Sequence, residues 1–457
     1  MQQENKMGTM PVNKLLVTMS LPMMASMLVQ ALYNVVDSIF VAHYSEQALT
    51  AVSLCFPVQT LMIAFAAGTG VGINSILSRR LGEKEAEKAN QTAVNGLLLG
   101  VLSSLLFAVL GFCFSDRFFS FFTADAETVR MGRDYMFICT VFSQGLFLQV
   151  VAEKLLLSTG RTLLNMCTQI VGALVNLLLD PLLIFGMFGL PALGVAGAAI
   201  ATVAGQWSAM IAALLLNHFK NRELALRFRG FRPSLRIIGQ IYKIGIPSII
   251  MQSIISIMTV GMNKILADDT AISVFGVYYK LHSFVFMPVF GVTNALVPIV
   301  AYNFGAKDSG RIIKTLRTAM CISAGIMAIG TAVFLAIPRP LLRLFNAGDE
   351  LMGIGVPALR IISIGFVFSG ISIIFSSCFQ ALGKAFLSML VSITRQLVII
   401  LPAAFLLKKL FGLHAVWYSM ILSEVTGAAL CILLYLRVYR KAIKPLGQKK
   451  EGVSPSG

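Results

Sequence analysis

Charge is scarce in this chain of 457 residues. Asp, Glu, Lys and Arg together make up 12% of it, only 20 residues are acidic and only four are His. That polar complement is too small to cover a soluble globule of this length, and 57% hydrophobic residues with a mean hydropathy of +0.82 place the chain in lipid. Paired cysteines are missing too: Cys55, Cys113, Cys139, Cys167, Cys321, Cys378 and Cys431 fall in apolar stretches without CxxC or Cys/His ligand spacing, so they read as buried free thiols. No G-x-x-x-x-G-K-[ST] loop is present to cradle ATP phosphates, and HExxH and G-x-S-x-G are absent as well. Uphill work by this chain therefore has to draw on an ion gradient. His43, His218, His282 and His414 are scattered and form no metal or nucleophile constellation, which leaves an embedded enzyme without machinery.

What the chain does have is apolar length. Runs of about 20 residues or more, enough to cross a hydrocarbon core, recur near 15–44, 48–78, 91–115, 133–158, 162–187, 192–218, 238–266, 270–303, 315–337, 352–379, 386–407 and 414–436. Lipid offers no partners to free backbone groups, and runs this long are helical rather than short alternating strands, so the reading is a twelve-span α-helical bundle. Lys and Arg collect at alternate ends of the spans, for example Arg79, Arg80, Lys84 and Lys88, then Lys220 to Lys243, then Arg437 to Lys450. That bias places both termini in the cytosol of a multi-pass plasma (inner) membrane protein. The net charge of +17 reads accordingly as topology signal against anionic lipid and not as a nucleic-acid surface. Residues 1–14 lead straight into a span too long for a signal-peptide core, so no cleaved leader is expected.

The chain also repeats itself. At an offset of 223 residues Gly68 matches Gly291, Gly82 matches Gly305, Lys84 matches Lys307, Glu127 matches Glu350 and Gly160 matches Gly383. Six spans fall in each copy, an even number, so both halves enter the membrane in the same sense and the repeat is parallel. The expected organisation is an N-lobe over 1–219, a basic linker over 220–234 and a C-lobe over 235–457, around a central cavity with alternating access.

Ionisable groups inside lipid are costly, so each is a functional candidate. Span 1 carries a polar stripe of Ser26, Gln30, Tyr33, Asn34 and Asp37 at helical spacing, and span 5 carries Gln169, Asn176 and Asp180. Pro181 follows Asp180 and leaves the Leu177 carbonyl without its helical partner. Thr202 and Gln206 sit four apart on span 6. These oxygens suit a proton relay or a small hard cation such as Na+; the bland alternative is that they tie helices together. The repeat acts as a control: the second-half counterparts of Asp37, Asn176 and Asp180 lie near Met262, Ile399 and Ala403, so the carboxylates belong to the first half alone. Gln149 and Glu153, beside Lys154, read either as a snorkelling set or as substrate contacts. Arg395 and Glu424 read as a structural ion pair or a site. Phe284 and Met287, within a Met- and Phe-rich span 8, suit adaptable binding of apolar or cationic organic molecules.

Three segments carry a resemblance: Asn34-Val-Val-Asp37-Ser-Ile-Phe-Val, Asn176-Leu-Leu-Leu-Asp180-Pro181-Leu-Leu-Ile-Phe-Gly186 and Gly194-Val-Ala-Gly-Ala-Ala-Ile-Ala-Thr202. They are similar to the multidrug and toxic compound extrusion (MATE) family, in its bacterial DinF-like and MepA-like members. The resemblance implies twelve helices, no cofactor beyond H+ or Na+ as coupling ion, efflux of cationic aromatic compounds, and a cation site at Asp37, Asn176, Asp180 and Thr202 with Tyr33 nearby. Pro22 matches a proline at which the first helix of some members bends, and Pro181 is the second candidate bend. NorM-like members carry acidic residues on spans 7 and 10, where this chain has Asn263, Lys264 and no acid, which argues against a sodium site in the C-lobe. A monomer is expected. The competing readings are a flippase for a lipid-linked precursor and a membrane-embedded enzyme.

Overall fold

The structure, a computed structural model, describes residues 5–446 apart from 123–124, 190, 225, 228–230 and 346–347, and leaves the side chains of Asn34 and residues 120–122 outside its description. Among the described residues there is no strand. A short α1 (Lys6–Thr9) precedes α2 (Val12–Tyr44), α3 (Glu46–Gly82), α4 (Ala86–Phe122), α5 (Ala126–Val141), α6 (Gln144–Ser158), α7 (Thr162–Phe185) and α8 (Val195–Lys220). The second half repeats the series as α9 (Leu235–Leu266), α10 (Asp269–Gly305), α11 (Ser309–Ala336), the short α12 (Pro338–Arg343), α13 (Asp349–Ser363), α14 (Phe366–Ala381), α15 (Ala385–Ile393), α16 (Ile400–Phe411) and α17 (Tyr418–Val438). Among the described residues ten helical stretches are long and apolar enough to cross a membrane. The pairs α5–α6 and α13–α14, bent by 43° and 49°, complete twelve spans.

Local chemistry sets the boundaries. Ser45, Asp125, Asp268 and Asp308 each accept a hydrogen bond from the backbone N–H three residues on, and so start α3, α5, α10 and α11. The turns after α3 and α10 end in left-handed Lys84 and Lys307, with φ of 60° and 55°, which shows the repeat down to the backbone. Glu85 in the first of these turns takes Lys88 at 2.7 Å and Arg80 at 2.9 Å. The Lys88 hydrogen bond, with the two positive charges, holds its carboxyl below the usual range. A depressed carboxyl tie is present at neutral pH and is lost as pH falls through the lowered value. The expected result is that the hydrogen-exchange protection of the 82–89 turn, taken relative to the unstructured chain at the same pH, falls on acidification, and is already low at neutral pH in Glu85→Gln.

By backbone contacts the chain forms two compact units, Ala25–Ile249 and Met1–Met24 with Ile250–Gly457. We call them the first and second lobes. The grouping changes inside α2 and inside α9, so each half's leading helix contributes its N-terminal end to the unit built mainly from the other half. Missing side chains make room for this: a Cβ on Gly68 of α3 would lie 2.9 Å from the Ile249 nitrogen, and one on Gly291 of α10 would lie 2.6 Å from the Met24 nitrogen. The two glycines are partners at the 223-residue offset. In the second lobe, Arg311 donates from Nη2 to the carbonyls of Met7 at 2.9 Å and Met10 at 2.8 Å, and from Nε to Asn303 Oδ1 at 3.0 Å. Charged donors to carbonyls are worth about 1.5–3 kcal/mol each, so Arg311→Ala is expected to release the segment before α2, read as faster limited proteolysis ahead of residue 12.

Large apolar side chains such as Phe112, Leu178, Ile329 and Phe405 stand exposed along the helices, the surface that lipid covers in a multi-pass membrane protein.

Candidate functional site

The first lobe brings the two acidic spans together. Asp37 of α2 and Asp180 of α7 are close neighbours whose carboxyl groups interact directly, and two carboxyls this near favour one shared proton over two bare charges. Asp180 is fully buried; its Oδ1 accepts from Asn176 Nδ2 at 3.4 Å, one turn earlier on α7. Asp37 Oδ1 and Asp180 Oδ2 are buried and find no donor among the described residues. No Lys or Arg is among their described partners either. A pair of carboxyls short of donors and short of counter-charge presents acceptor oxygens of the kind that a proton or a cation satisfies.

The surrounding helices explain why the pair is held. Gly205 of α8 and Gly172 of α7 face each other, and a Cβ on Gly205 would lie 2.7 Å from the Gly172 carbonyl oxygen and 3.1 Å from Asn176 Cβ. The α8 backbone therefore rests against α7 at the Asn176 level. Thr202, three residues before Gly205, lies along the same seam, half-buried, as does Gln206. The helices run on through Pro22 in α2 and Pro181 in α7. Tyr33 lies within the field of both Asp37 and Asp180, whereas Gln30 on α2 is exposed. The Asn34 side chain falls outside the described residues.

Two further residues border the pair without having been singled out from the sequence. Tyr135 and Cys139 on α5 lie in the field of Asp37, and the Tyr135 hydroxyl accepts from Gln59 Nε2 of α3 at 3.1 Å. Both polar residues stand on apolar spans, and the available signal was only that Gln59 and Tyr135 are polar atoms in lipid needing a partner.

Glu153 forms a separate centre in the same lobe. It is 7% exposed and accepts from Gln149 at 2.9 Å, Gln169 at 3.1 Å and Thr168 at 3.3 Å. Gln169 stands seven residues before Asn176 on α7, about 10 Å along the axis, so this cluster and the acidic pair occupy different levels of one helix. The neighbouring Lys154 lays its stem on Gly70, where a Cβ would lie 2.9 Å from Lys154 Cγ. Phe284 and Met287 belong to α10 in the second lobe, Phe284 exposed and Met287 half-buried. The second-lobe counterparts of the acidic pair are apolar, with Met262 fully buried in the core around α10.

A profile of the MatE family matches residues 22–182 and 246–406, one copy in each half of the repeat. The multidrug export protein MepA of Staphylococcus haemolyticus is 27% identical over 424 residues, which cover 92% of either chain. A solved MOP superfamily transporter from Pyrococcus furiosus superposes with a TM-score of 0.90 at 25% identity, over 98% of this chain and 99% of that one. A multidrug resistance MATE family transporter of the same superfamily, in an outward-facing conformation, matches with the same TM-score, identity and coverage.

Proposed function

The chain belongs to the MatE family, and from that premise we propose that it is an ion-coupled exporter of small organic compounds, cationic or aromatic, acting as a monomer in the plasma membrane with both termini in the cytosol. Its relatives named above are exporters and transporters rather than enzymes. The observation that carries the coupling reading is the contact between Asp37 and Asp180, two carboxyls in one lobe with buried oxygens that lack donors.

The mechanism follows from charge. With one proton shared, the two carboxyls are held together. When the proton leaves, two like charges close together in a poorly polarisable medium repel strongly. Asn176 holds Asp180 in place from the same helix, so Asp37 is the group free to move. Tyr33 lies beside both carboxyls, and Thr202 lies one turn from the point where α8 meets Asn176. Occupancy of the pair by a proton and occupancy by an organic cation then exclude each other, so a proton released to the cytosol is replaced by a cation taken up from the cytosol, which is antiport. No organic cofactor enters this cycle. The same oxygens could hold Na+, but a contact that closes with one proton favours H+.

Ethidium movement into proteoliposomes, driven by an imposed pH gradient and repeated with a sodium gradient alone, tests the proposal. Accumulation under the pH gradient without sodium is the expected result; accumulation under sodium alone, with none under the pH gradient, would overturn the proton assignment.

A further inference from the structure

The second lobe holds one buried ion pair that the coupling cycle does not use. Arg395 Nη1 lies 2.7 Å and 3.0 Å from the two carboxylate oxygens of Glu424, both side chains being about four-fifths enclosed. Its surroundings are built for it. Arg395 is the second residue of a π-helical turn, Thr394–Ile399, between α15 and α16, a departure from regular helix that is frequent at functional positions. Its carbonyl accepts from Ser423 Oγ at 2.7 Å. The arginine stem crosses Gly427, where a Cβ would lie 2.9 Å from Arg395 Cδ, and the Glu424 stem passes Gly365 at the 49° break between α13 and α14. Tyr278, Tyr279 and His282 of α10 and Cys431 of α17 are the titratable groups in the field of the pair.

Its place in the repeat gives the pair a meaning. In the first lobe the Gly205 backbone meets Gly172. In the second lobe Gly427, 222 residues on, meets Arg395, 223 residues on from Gly172. In that register Glu424 stands where the first lobe has Thr202. The second lobe thus puts a carboxylate at the Thr202 position and a guanidinium at the Gly172 position of the seam, while the counterparts of Asp37 and Asp180 are apolar. Guanidinium does not give up its proton in a protein, so the charge of Glu424 is permanently balanced, while Asp37 and Asp180 have no such partner among the described residues.

We infer that Arg395 is a built-in cation. Its guanidinium supplies, throughout the cycle, the positive charge that the enclosed Glu424 carboxylate would otherwise draw from an exchangeable ion, and so confines ion exchange to the first lobe. The inference rests on the proposal that the first lobe couples to an ion, and it assigns Arg395 a positioning role toward Glu424 and none toward substrate.

The test is the number of protons moved per ethidium, obtained from the ethidium ratio at which net flux stops under a fixed pH gradient in proteoliposomes. At a one-unit gradient each additional coupled proton multiplies the limiting ratio about tenfold. Arg395→Met leaves Glu424 needing a cation and is expected to add one proton per cycle. Arg395→Lys and the double change Arg395→Met with Glu424→Gln are expected to keep the wild-type ratio. If Arg395→Met and the double variant give the same ratio, or are both folded and inactive, the pair is a structural tie and the inference falls. Should Arg395→Met fail to fold, Glu424→Gln decides alone: an unchanged proton count supports the inference, and a count lower by one means that Glu424 itself exchanges an ion. Failure of the first-lobe reading looks different, since Asp180→Asn would then keep the wild-type proton count.

Discussion

Asp180→Asn is expected to reach the membrane at the wild-type level and to lose gradient-driven export. The amide keeps the size of the carboxyl and its place beside Asn176, so the fold has little reason to fail. What it removes is the ability to take up and release a proton. One pH unit across the membrane is worth about 1.4 kcal/mol per coupled proton, a factor of about ten in substrate accumulation, and that factor should fall to parity in the variant. Asp37→Asn should do the same from the other side of the contact. Facilitated, downhill ethidium movement is the control, because a variant that still binds and moves substrate downhill but no longer concentrates it has lost coupling alone. Equal accumulation in wild type and Asp180→Asn would remove the pair from the mechanism.

Gly205→Val is the second substitution with a large expected effect, and here the cause is packing. A Cβ at Gly205 would lie 2.7 Å from the Gly172 carbonyl oxygen and 3.1 Å from Asn176 Cβ, so α8 has to move off α7. Overpacking of this kind costs about 1–3 kcal/mol and occasionally more, and backbone oxygen cannot yield as a side chain can. Thermal unfolding should shift down clearly. Because Asn176 is one of the atoms displaced, transport should suffer beyond the loss of stability. Gly427→Val, its counterpart in the second lobe, meets only the flexible stem of Arg395 and should cost markedly less. Equal losses at the two positions would contradict this account of the seam.

Much of this architecture is legible in the sequence, for identifiable reasons. Twelve spans are visible because a helix in lipid must be long and apolar, and the offset between Lys84 and Lys307 extends to their shared left-handed backbone. Asp37, Asn176 and Asp180 stand out because a carboxylate in an apolar run is costly. Other features are hidden because apolar residues surround them on both sides. The breaks between α5 and α6 and between α13 and α14 lie within continuous hydrophobic runs, with no proline at either junction. The contribution of residues 12–24 of α2 to the second lobe depends on Gly291, and nothing local distinguishes that glycine from the other 37. The pairing of Gln59 with Tyr135 joins residues 76 positions apart and is a fact of tertiary structure alone. Glu153 is an intermediate case: Gln149 is readable at i, i+4, whereas Gln169 and Thr168 come from the next helix.

Placing ion exchange in one lobe makes proton movement and substrate movement a single event at Asp37 and Asp180. The most direct measurement records both fluxes in the same proteoliposomes, with a trapped pH indicator for protons and ethidium fluorescence for substrate, in wild type and in the Asp37→Asn/Asp180→Asn double variant. The account predicts proton flux on ethidium addition in the wild type and none in the double variant. Ethidium-dependent proton flux that survives loss of both carboxyls would contradict it.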